Sequence, residues 1–298
     1  MNYIAVLLNS TIRSTTPVLL AALGSAMCSR SGVFNIALEG QMLLGCFVTI
    51  AVDYFTANLI LAVLCGMLAG ALIGAIVALL QVKYKAADMV IGTSLNLLVS
   101  GVTSLMLFIL FGVKGKFNDP TLTSLPKINL PFISDIPFLG RALENLTIID
   151  YLSYGIAVLL FIWMFRTVHG FHVRSVGINP EAAMSLGLYP VRERMKMVVL
   201  SGALCGLGGA VLSIGQVTMF VDNMTSGRGY IAMAAASMGA DHPIAIIFTS
   251  LFFGIAQAVG TALQNSVPSQ LTVTVPYIAT IVALIFAYGK KRSKTKKG

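Results

Sequence analysis

Five long stretches of this chain contain no aspartate, glutamate, lysine or arginine, and they constrain its fold more than any other feature. They cover residues 54–82, 89–113, 151–165, 197–221 and 242–289. A helix that spans the hydrocarbon core of a bilayer needs about 20 mostly apolar residues. Four of the stretches exceed that length, and the last could hold two spans divided near Pro268 or Pro276. The sequence therefore predicts several membrane crossings.

Two further apolar segments in the N-terminal third, residues 15–28 and 36–52, bring the predicted number of spans to eight to ten. The composition excludes a soluble enzyme, because 57% of the residues are hydrophobic and only 10% are charged. Soluble domains have about 25% charged residues. We therefore predict an all-α membrane protein, a polytopic helix bundle in which residues 1–289 form a single transmembrane domain.

The distribution of Lys and Arg predicts the orientation of the chain. The loop near residue 83, the loop 166–196 and the tail 290–298 carry an excess of basic residues, and such loops stay in the cytoplasm. Residues 112–150 carry four basic and four acidic residues, so we expect an extracytoplasmic loop there. Six basic residues in the tail supply most of the net charge of +9. This surplus therefore indicates orientation and not nucleic-acid binding.

The sequence contains no motif for catalysis or metal binding. No phosphate-binding loop with the G-x-x-x-x-G-K-[ST] spacing occurs, so we do not expect the chain to hydrolyse ATP itself. The four cysteines show no C-x-x-C spacing, and the three histidines form no cluster with them. This pattern supports neither a zinc site nor a disulfide framework. We predict no catalytic residue, metal or cofactor in this chain.

A few polar side chains inside the apolar segments are candidates for a translocation path or gate. A carboxylate at mid-membrane costs roughly 2.5–3.5 kcal/mol, so we expect Glu39 to face a cavity or a partner. Asn35 precedes it by four residues, a spacing that would place both on one helical face. Two interpretations of Glu39 stay open: a pore-lining or gating pair with Asn35, or a structural hydrogen bond that caps a broken helix. Further candidates for contact with a solute are Asn96, Gln216, Asp222, Arg228 and Gln264.

Small residues and a short repeat indicate how the spans are arranged. Gly66, Gly70 and Gly74 recur at every fourth position, a spacing that lets membrane helices approach closely. Residues 31–38 and 226–233 are identical at four positions, which suggests a weak internal repeat. Transporters are often built from such repeats, and glycine-interrupted apolar segments in matching positions point to the substrate path.

The loop 166–196 contains the signals of a short helix with definite ends. Asn179 is a good N-cap, and Pro180 suits the first helical position. Gly187 is placed to end the helix. Such a rigid element between two spans indicates a docking site for a cytoplasmic partner. The residues assigned to this site are Gly177, Asn179, Pro180, Glu181, Ala182, Ala183 and Gly187.

Three blocks of sequence give the chain a family resemblance. They are residues 16–24 with 31–40, residues 177–183 with the glycine-rich 200–210, and residues 227–232. The chain resembles the permease subunits of bacterial ABC importers in the branched-chain amino acid, ribose and nucleoside transporter superfamily. The forms Asn-Ile-Ala-Leu-Glu-Gly and Gly-Arg-Gly-Tyr-Ile-Ala are most similar to those of the nucleoside permeases of the guanosine type.

The resemblance implies a function and a set of partners. The helix at 179–187 would be the coupling helix that seats in a groove of a separate ATPase subunit, which binds the ATP and Mg. The other implied partners are a second, paralogous permease and an extracytoplasmic substrate-binding protein. The chain would lie in the bilayer of the bacterial cytoplasmic membrane with its C-terminus inside. The expected function is nucleoside import by alternating access, driven by the ATPase.

Other functions stay open at this point. Within the same superfamily the solute could be ribose or another monosaccharide, or a branched-chain amino acid. An ion-coupled secondary carrier would place titratable groups along its spans, and here only Glu39, Asp222 and Asp241 qualify. A membrane scaffold without transport activity is the remaining alternative.

Overall fold

The computed structural model describes residues 2–128, 143–264 and 278. The helices of this part, numbered in chain order, are α1 Asn2–Arg30, α2 Leu38–Thr56, α3 Leu59–Val77, α4 Asp88–Phe111, α5 Ile148–Arg166, α6 Val168–Ile178, α7 Pro180–Ser185, α8 Pro190–Ala210, α9 Arg228–Met238 and α10 Pro243–Leu263. Two π-helical segments, Ala78–Lys83 and Val211–Val217, prolong α3 and α8. Short antiparallel pairs join β1 Lys116–Phe117 to β4 Phe220–Val221, and β2 Lys127–Ile128 to β3 Leu146–Thr147.

Seven helices of the described part are long and apolar enough to cross a membrane, namely α1, α2, α3, α4, α5, α8 and α10. The prediction of an all-α protein with many spans is therefore confirmed. Helix α1 is longer than the predicted segment 15–28, and α8 begins before the predicted stretch 197–221. The second span predicted within 242–289, after a break near Pro268 or Pro276, lies outside the described residues apart from Ile278, as does the tail 290–298.

Helix α8 lies at the centre of the bundle and packs against α1, α2 and α3. Glycines allow its close approach to α3. A Cβ on Gly70 would lie 2.2 Å from the carbonyl oxygen of Gly202, and a Cβ on Gly206 would lie 2.3 Å from that of Gly66. The backbones of α3 and α8 are therefore in direct contact. Small residues permit this close packing of membrane helices, for which lipid provides no hydrophobic driving force. The predicted packing role of these glycines is confirmed.

The ends of the spans define two faces of the bundle. We call the end that carries residues 112–128 and 143–147 the 120 face, and the end that carries residues 84–87, 167–189 and 239–242 the 180 face. Helix α1 runs from the 120 face, where Asn9 donates to the carbonyl oxygen of Glu144 at 2.7 Å, to the 180 face, where Arg30 donates to that of Ala240 at 2.7 Å. Gly74, near the end of α3, lies against the carbonyl oxygen of Val198, near the start of α8, so the two basic loops near residues 83 and 180 lie at the same end.

Helix α9 is too short to cross a membrane. Its 11 residues rise about 16 Å, roughly half of the 30 Å hydrocarbon core. It ends at the 180 face and begins inside the bundle, where Gly229 is buried. Residues 222–227, which precede it, form turns and not a helix. The chain therefore enters the bundle from the 120 face without regular structure and leaves it as a half-helix.

The two copies of the weak repeat share a left-handed glycine and then diverge. Gly32 has a φ of 80° and Gly227 has a φ of 78°. Helix α9 begins directly after Gly227, whereas α2 begins only at Leu38. The copies also meet, because Glu39, the residue after the first copy, hydrogen-bonds to the start of the second.

Candidate translocation site and coupling surface

Glu39 is buried in the first turn of α2 and caps the start of α9. Its Oε1 accepts a hydrogen bond from the backbone N–H of Gly227, and its Oε2 accepts one from that of Gly229, both at 2.7 Å. The first N–H groups of a helix have no partner within the helix, and a negative charge there is favourable. Two charge-assisted hydrogen bonds therefore offset the cost of burying this carboxylate. Of the two interpretations left open for Glu39, the geometry matches the cap of a broken helix.

The start of α9 leaves no room for side chains beside this carboxylate. A Cβ on Gly229 would lie 2.5 Å from the backbone nitrogen of Glu39 and 2.8 Å from its Oε2. Gly227 adopts a left-handed conformation that L side chains adopt only with strain. The sequence Gly-Arg-Gly at 227–229 is thus explained by the cap that it accommodates.

Asn35 does not share a helical face with Glu39, and that prediction is wrong because α2 begins only at Leu38. The Oδ1 of Asn35 accepts a hydrogen bond from the N–H of Ala37 at 3.0 Å, and its Nδ2 donates to the Oε1 of Gln41 at 3.2 Å. An asparagine bonded to the backbone two residues ahead competes with helix formation. Asn35 therefore delays the start of α2.

Asn96 connects three elements from within α4. Its Oδ1 accepts a hydrogen bond from the N–H of Gly40 at 2.7 Å. Its Nδ2 donates to the carbonyl oxygen of Ile36 and to the hydroxyl of Tyr230, both at 3.0 Å. These bonds fix the start of α2 and the first turn of α9 relative to α4.

Arg228 and Gln216 lie in different places. The Nη1 of Arg228 donates to the carbonyl oxygens of Met224 and Thr225, both at 3.1 Å, and so stabilises the turn before α9. Gln216 lies near the end of the π-helical segment after α8, and its Nε2 donates to the carbonyl oxygen of Arg13. It is not part of the group around α9. Of the predicted residues, Glu39, Asn96 and Arg228 meet at the start of α9, whereas Asn35 hydrogen-bonds to Ala37 and Gln41.

Residues 222–230 expose polar groups at membrane depth. The hydroxyl of Ser104 donates to the Oδ1 of Asp222 at 3.0 Å, and Ser104 lies about 10 Å along α4 from the end of that helix. Non-helical backbone at this depth is tolerated only where it is buried in protein or lines a water-filled cavity. Asn223 and Ser226 are exposed. This segment therefore has the properties of the wall of a polar path.

Tyr230 lies in the same segment, although no sequence pattern singles it out. Its side chain is 44% exposed, and its hydroxyl accepts the hydrogen bond from Asn96. The ring is thus fixed at one end while much of its surface stays accessible. Its only signal in the sequence is its place in the block Gly-Arg-Gly-Tyr-Ile-Ala.

The short helix α7 on the 180 face has the ends that its sequence predicts. The Oδ1 of Asn179 accepts hydrogen bonds from the N–H groups of Glu181 and Ala182, both at 3.1 Å. Pro180 occupies the first turn. At the other end Gly187 has a φ of 80°, and two backbone hydrogen bonds close a Schellman turn. The helix is therefore well defined at both ends.

Apolar side chains around α7 are exposed on the 180 face. Ile178 is 86% exposed and Leu186 is 74% exposed, and Met184 is exposed between them. Exposed apolar side chains grouped on a protein surface are typical of interaction sites. Ala183, one of the residues assigned to the docking site, is only 1% exposed. Its side chain faces the protein and seats the helix, so it does not contribute contact surface.

The whole length of the chain matches known proteins. Residues 7–284 match a family described as branched-chain amino acid transport system / permease component. The chain belongs to this permease family. The permease is 32% identical to the guanosine ABC transporter permease protein NupQ of Bacillus subtilis, over 99% of the chain and 96% of that protein. It is 30% identical to the nucleoside ABC transporter permease protein NupC of Lactococcus lactis, over 97% and 94%.

A solved structure supports the same fold. PsaBC from Streptococcus pneumoniae in complex with Fab is similar to the permease with a TM-score of 0.52 at 12% identity, over 97% of this chain and 94% of that one. The resemblance drawn from the three sequence blocks is therefore confirmed, and the chain is a membrane-spanning permease subunit of an ABC transporter.

Proposed function

We propose that this permease forms the membrane path of an ATP-driven importer of nucleosides. The observation that carries the proposal is the similarity, over nearly the whole chain, to relatives named for guanosine and for nucleosides. The polar segment around the start of α9 supports it, because a nucleoside needs a hydrated route with polar contacts. The path in this proposal runs along residues 222–230 and the facing side of α4.

Two side chains of this wall match the chemistry of a nucleoside. The accessible ring of Tyr230 can stack on a nucleobase, an interaction worth about 1–3 kcal/mol. The carboxylate of Asp222 is partly exposed, and one of its oxygens accepts the hydrogen bond from Ser104. Its remaining acceptor capacity suits the hydroxyl groups of a ribose. Glu39 and Asn96 have a different role in the proposal, since they hold the wall in place.

The partners in the proposal follow from the two faces. The exposed patch around α7 docks on a separate ATPase subunit, which binds the ATP and Mg. The 180 face is then cytoplasmic, in agreement with the excess of Lys and Arg in the loop near residue 83 and in the loop 166–196. The 120 face receives an extracytoplasmic substrate-binding protein, and a second, paralogous permease completes the path. The membrane is the bacterial cytoplasmic membrane, with the C-terminus inside.

The test of the substrate is uptake of labelled guanosine, ribose and leucine by proteoliposomes that contain the complete transporter. We expect guanosine uptake to require ATP. We also expect it to persist when an uncoupler is added while the ATP concentration is held constant. Uptake of ribose or leucine in its place would refute the nucleoside assignment. Uptake abolished by the uncoupler would favour an ion-coupled carrier.

The test of the docking surface makes the same type of substitution, Glu to Lys, at one position on each face. Glu181→Lys reverses a charge at the exposed start of α7, and Glu144→Lys makes the same change at an exposed position of the 120 face. We expect Glu181→Lys to weaken co-purification with the ATPase and to reduce uptake, while Glu144→Lys leaves the ATPase bound. Normal uptake and normal co-purification with Glu181→Lys would contradict the assignment of α7.

A further inference from the structure

Helix α9 is held at both ends by one continuous segment, residues 29–39. At its start, the carboxylate of Glu39 binds the first N–H groups of the helix. At its end, the guanidinium of Arg30 donates to the carbonyl oxygen of Ala240 at 2.7 Å and to that of Asp241 at 3.1 Å. The segment therefore follows α9 from the 180 face into the bundle and contacts it at each end.

The same segment is fixed to the loop that carries α7. A Cβ on Gly177 would lie 2.1 Å from the carbonyl oxygen of Arg30, so the end of α6 is in backbone contact with the segment. Arg194 joins the two as well, since its Nε donates to the carbonyl oxygen of Ser31 at 3.0 Å and its Nη2 to that of Val176 at 3.4 Å. Helix α6 ends directly before the N-cap of α7. A movement of α7 would thus act on residues 30–32.

The segment between these attachment points is internally braced. Gly32 adopts a left-handed conformation and closes a Schellman turn at the end of α1, with hydrogen bonds of 2.9 and 3.0 Å. Further along, the side chains of Asn35 and Asn96 hold residues 35–41. The segment is therefore held by hydrogen bonds at its start and is attached to α4 through Asn96 further along.

We propose that residues 29–39 are the link through which a movement of α7 reaches α9 and the polar wall in front of it. Arg194 and Gly177 are the positioning residues at the cytoplasmic end of this link, and Glu39 is the positioning residue at its inner end. The inference rests on the proposed function, because it requires an ATPase that moves α7. Since α9 is clamped at both ends, it moves as a unit, and the wall at 222–230 opens or closes with it.

The experiment compares Arg194→Ala with Arg192→Ala in the complete transporter in proteoliposomes. The measured quantity is the number of solute molecules transported per ATP hydrolysed. Arg192 is a matched control, because it carries the same charge on the same helix, is exposed, and lies over the ring of Tyr189 at 5.0 Å. We expect Arg194→Ala to lower the ratio by about fivefold or more while hydrolysis continues, and Arg192→Ala to leave it unchanged. An unchanged ratio in both variants would overturn the link.

A double variant tests whether the two ends act through the same element. If Arg194 and Glu39 lie on one link, Arg194→Ala combined with Glu39→Gln should lower the ratio little further than the stronger single change. Losses that multiply would overturn the proposal. If Arg194→Ala fails to assemble, Arg194→Lys gives the same test, because an ammonium lacks the planar fork that bonds two carbonyl groups. The ratio is measured with whichever solute the wild-type complex transports. This test of the link therefore does not depend on whether that solute is a nucleoside.

Discussion

Replacing Glu39 by glutamine isolates the contribution of the buried cap. The side chain keeps its size but loses its charge and one of its two acceptor oxygens. In the native structure both oxygens accept hydrogen bonds at 2.7 Å, from the N–H groups of Gly227 and Gly229. Losing one bond to a charged group costs about 1.5–3 kcal/mol, and the other bond would fall to the neutral value of about 1 kcal/mol. We expect the free energy of unfolding to decrease by about 3 kcal/mol in total.

The assay is thermal unfolding of the purified permease in lipid nanodiscs, with Glu39→Gln compared with Glu181→Gln. Glu181 is exposed on the 180 face, so its variant loses the same charge without losing a buried bond. A loss of this size should lower the Tm of Glu39→Gln by roughly 5–10 °C, and the Tm of Glu181→Gln should match the wild type. Equal Tm values for the two variants would refute the idea that this carboxylate stabilises the start of α9.

Three further predictions address the path and the 180 face. Gly229→Ala should lower the Tm, because its Cβ would lie 2.5 Å from the backbone of α2. Gly101→Ala should leave the Tm unchanged, since no described residue approaches that position within 4 Å. Equal Tm values for the two variants would contradict the close approach of α9 to α2. Tyr230→Leu should reduce guanosine uptake severalfold, whereas Tyr230→Phe should retain it, because stacking on a nucleobase needs only the ring. Reduced uptake in both variants would show that the hydroxyl, and not stacking, is what uptake requires. Burial raises the pKa of Asp241 above its usual 3.8, so its contribution to stability is complete below pH 3.8 and is lost as the pH rises through the raised pKa. Asp241→Asn should therefore flatten this part of a Tm profile against pH.

The sequence predicts the spans and the ends of α7 because both depend on residues close together in the chain. A charge-free stretch such as 89–113 becomes the helix Asp88–Phe111, since a bilayer leaves few alternatives to a helix. Asn179 and Gly187 mark the ends of α7 through bonds to their own neighbours. Local chemistry of this kind needs no knowledge of the tertiary structure.

The role of Glu39 could not be predicted in the same way. Its partners are 188 and 190 residues away, and no pattern near Glu39 indicates which N–H groups it binds. The helical spacing to Asn35 was misleading, because that side chain bonds to the backbone of Ala37 and keeps the chain out of a helix. The sequence shows only that Glu39 lies in an apolar segment. An isolated carboxylate there is costly, so the sequence predicts that it has a partner but not which one.

Helix α2 carries two buried carboxylates, and both accept hydrogen bonds from backbone N–H groups of other parts of the chain. Glu39 binds the start of α9, and Asp53, at the other end of α2, accepts hydrogen bonds from the backbone N–H of Thr123 at 2.8 Å and from its hydroxyl. The first N–H groups of a helix have no partner within the helix, and a carboxylate is a strong partner for such groups. Through these bonds, one end of α2 is connected to the start of α9 and the other end to residue 123 of the 120 face. In the proposed function, α2 therefore connects the polar wall at 222–230 to the 120 face, on which the binding protein would dock.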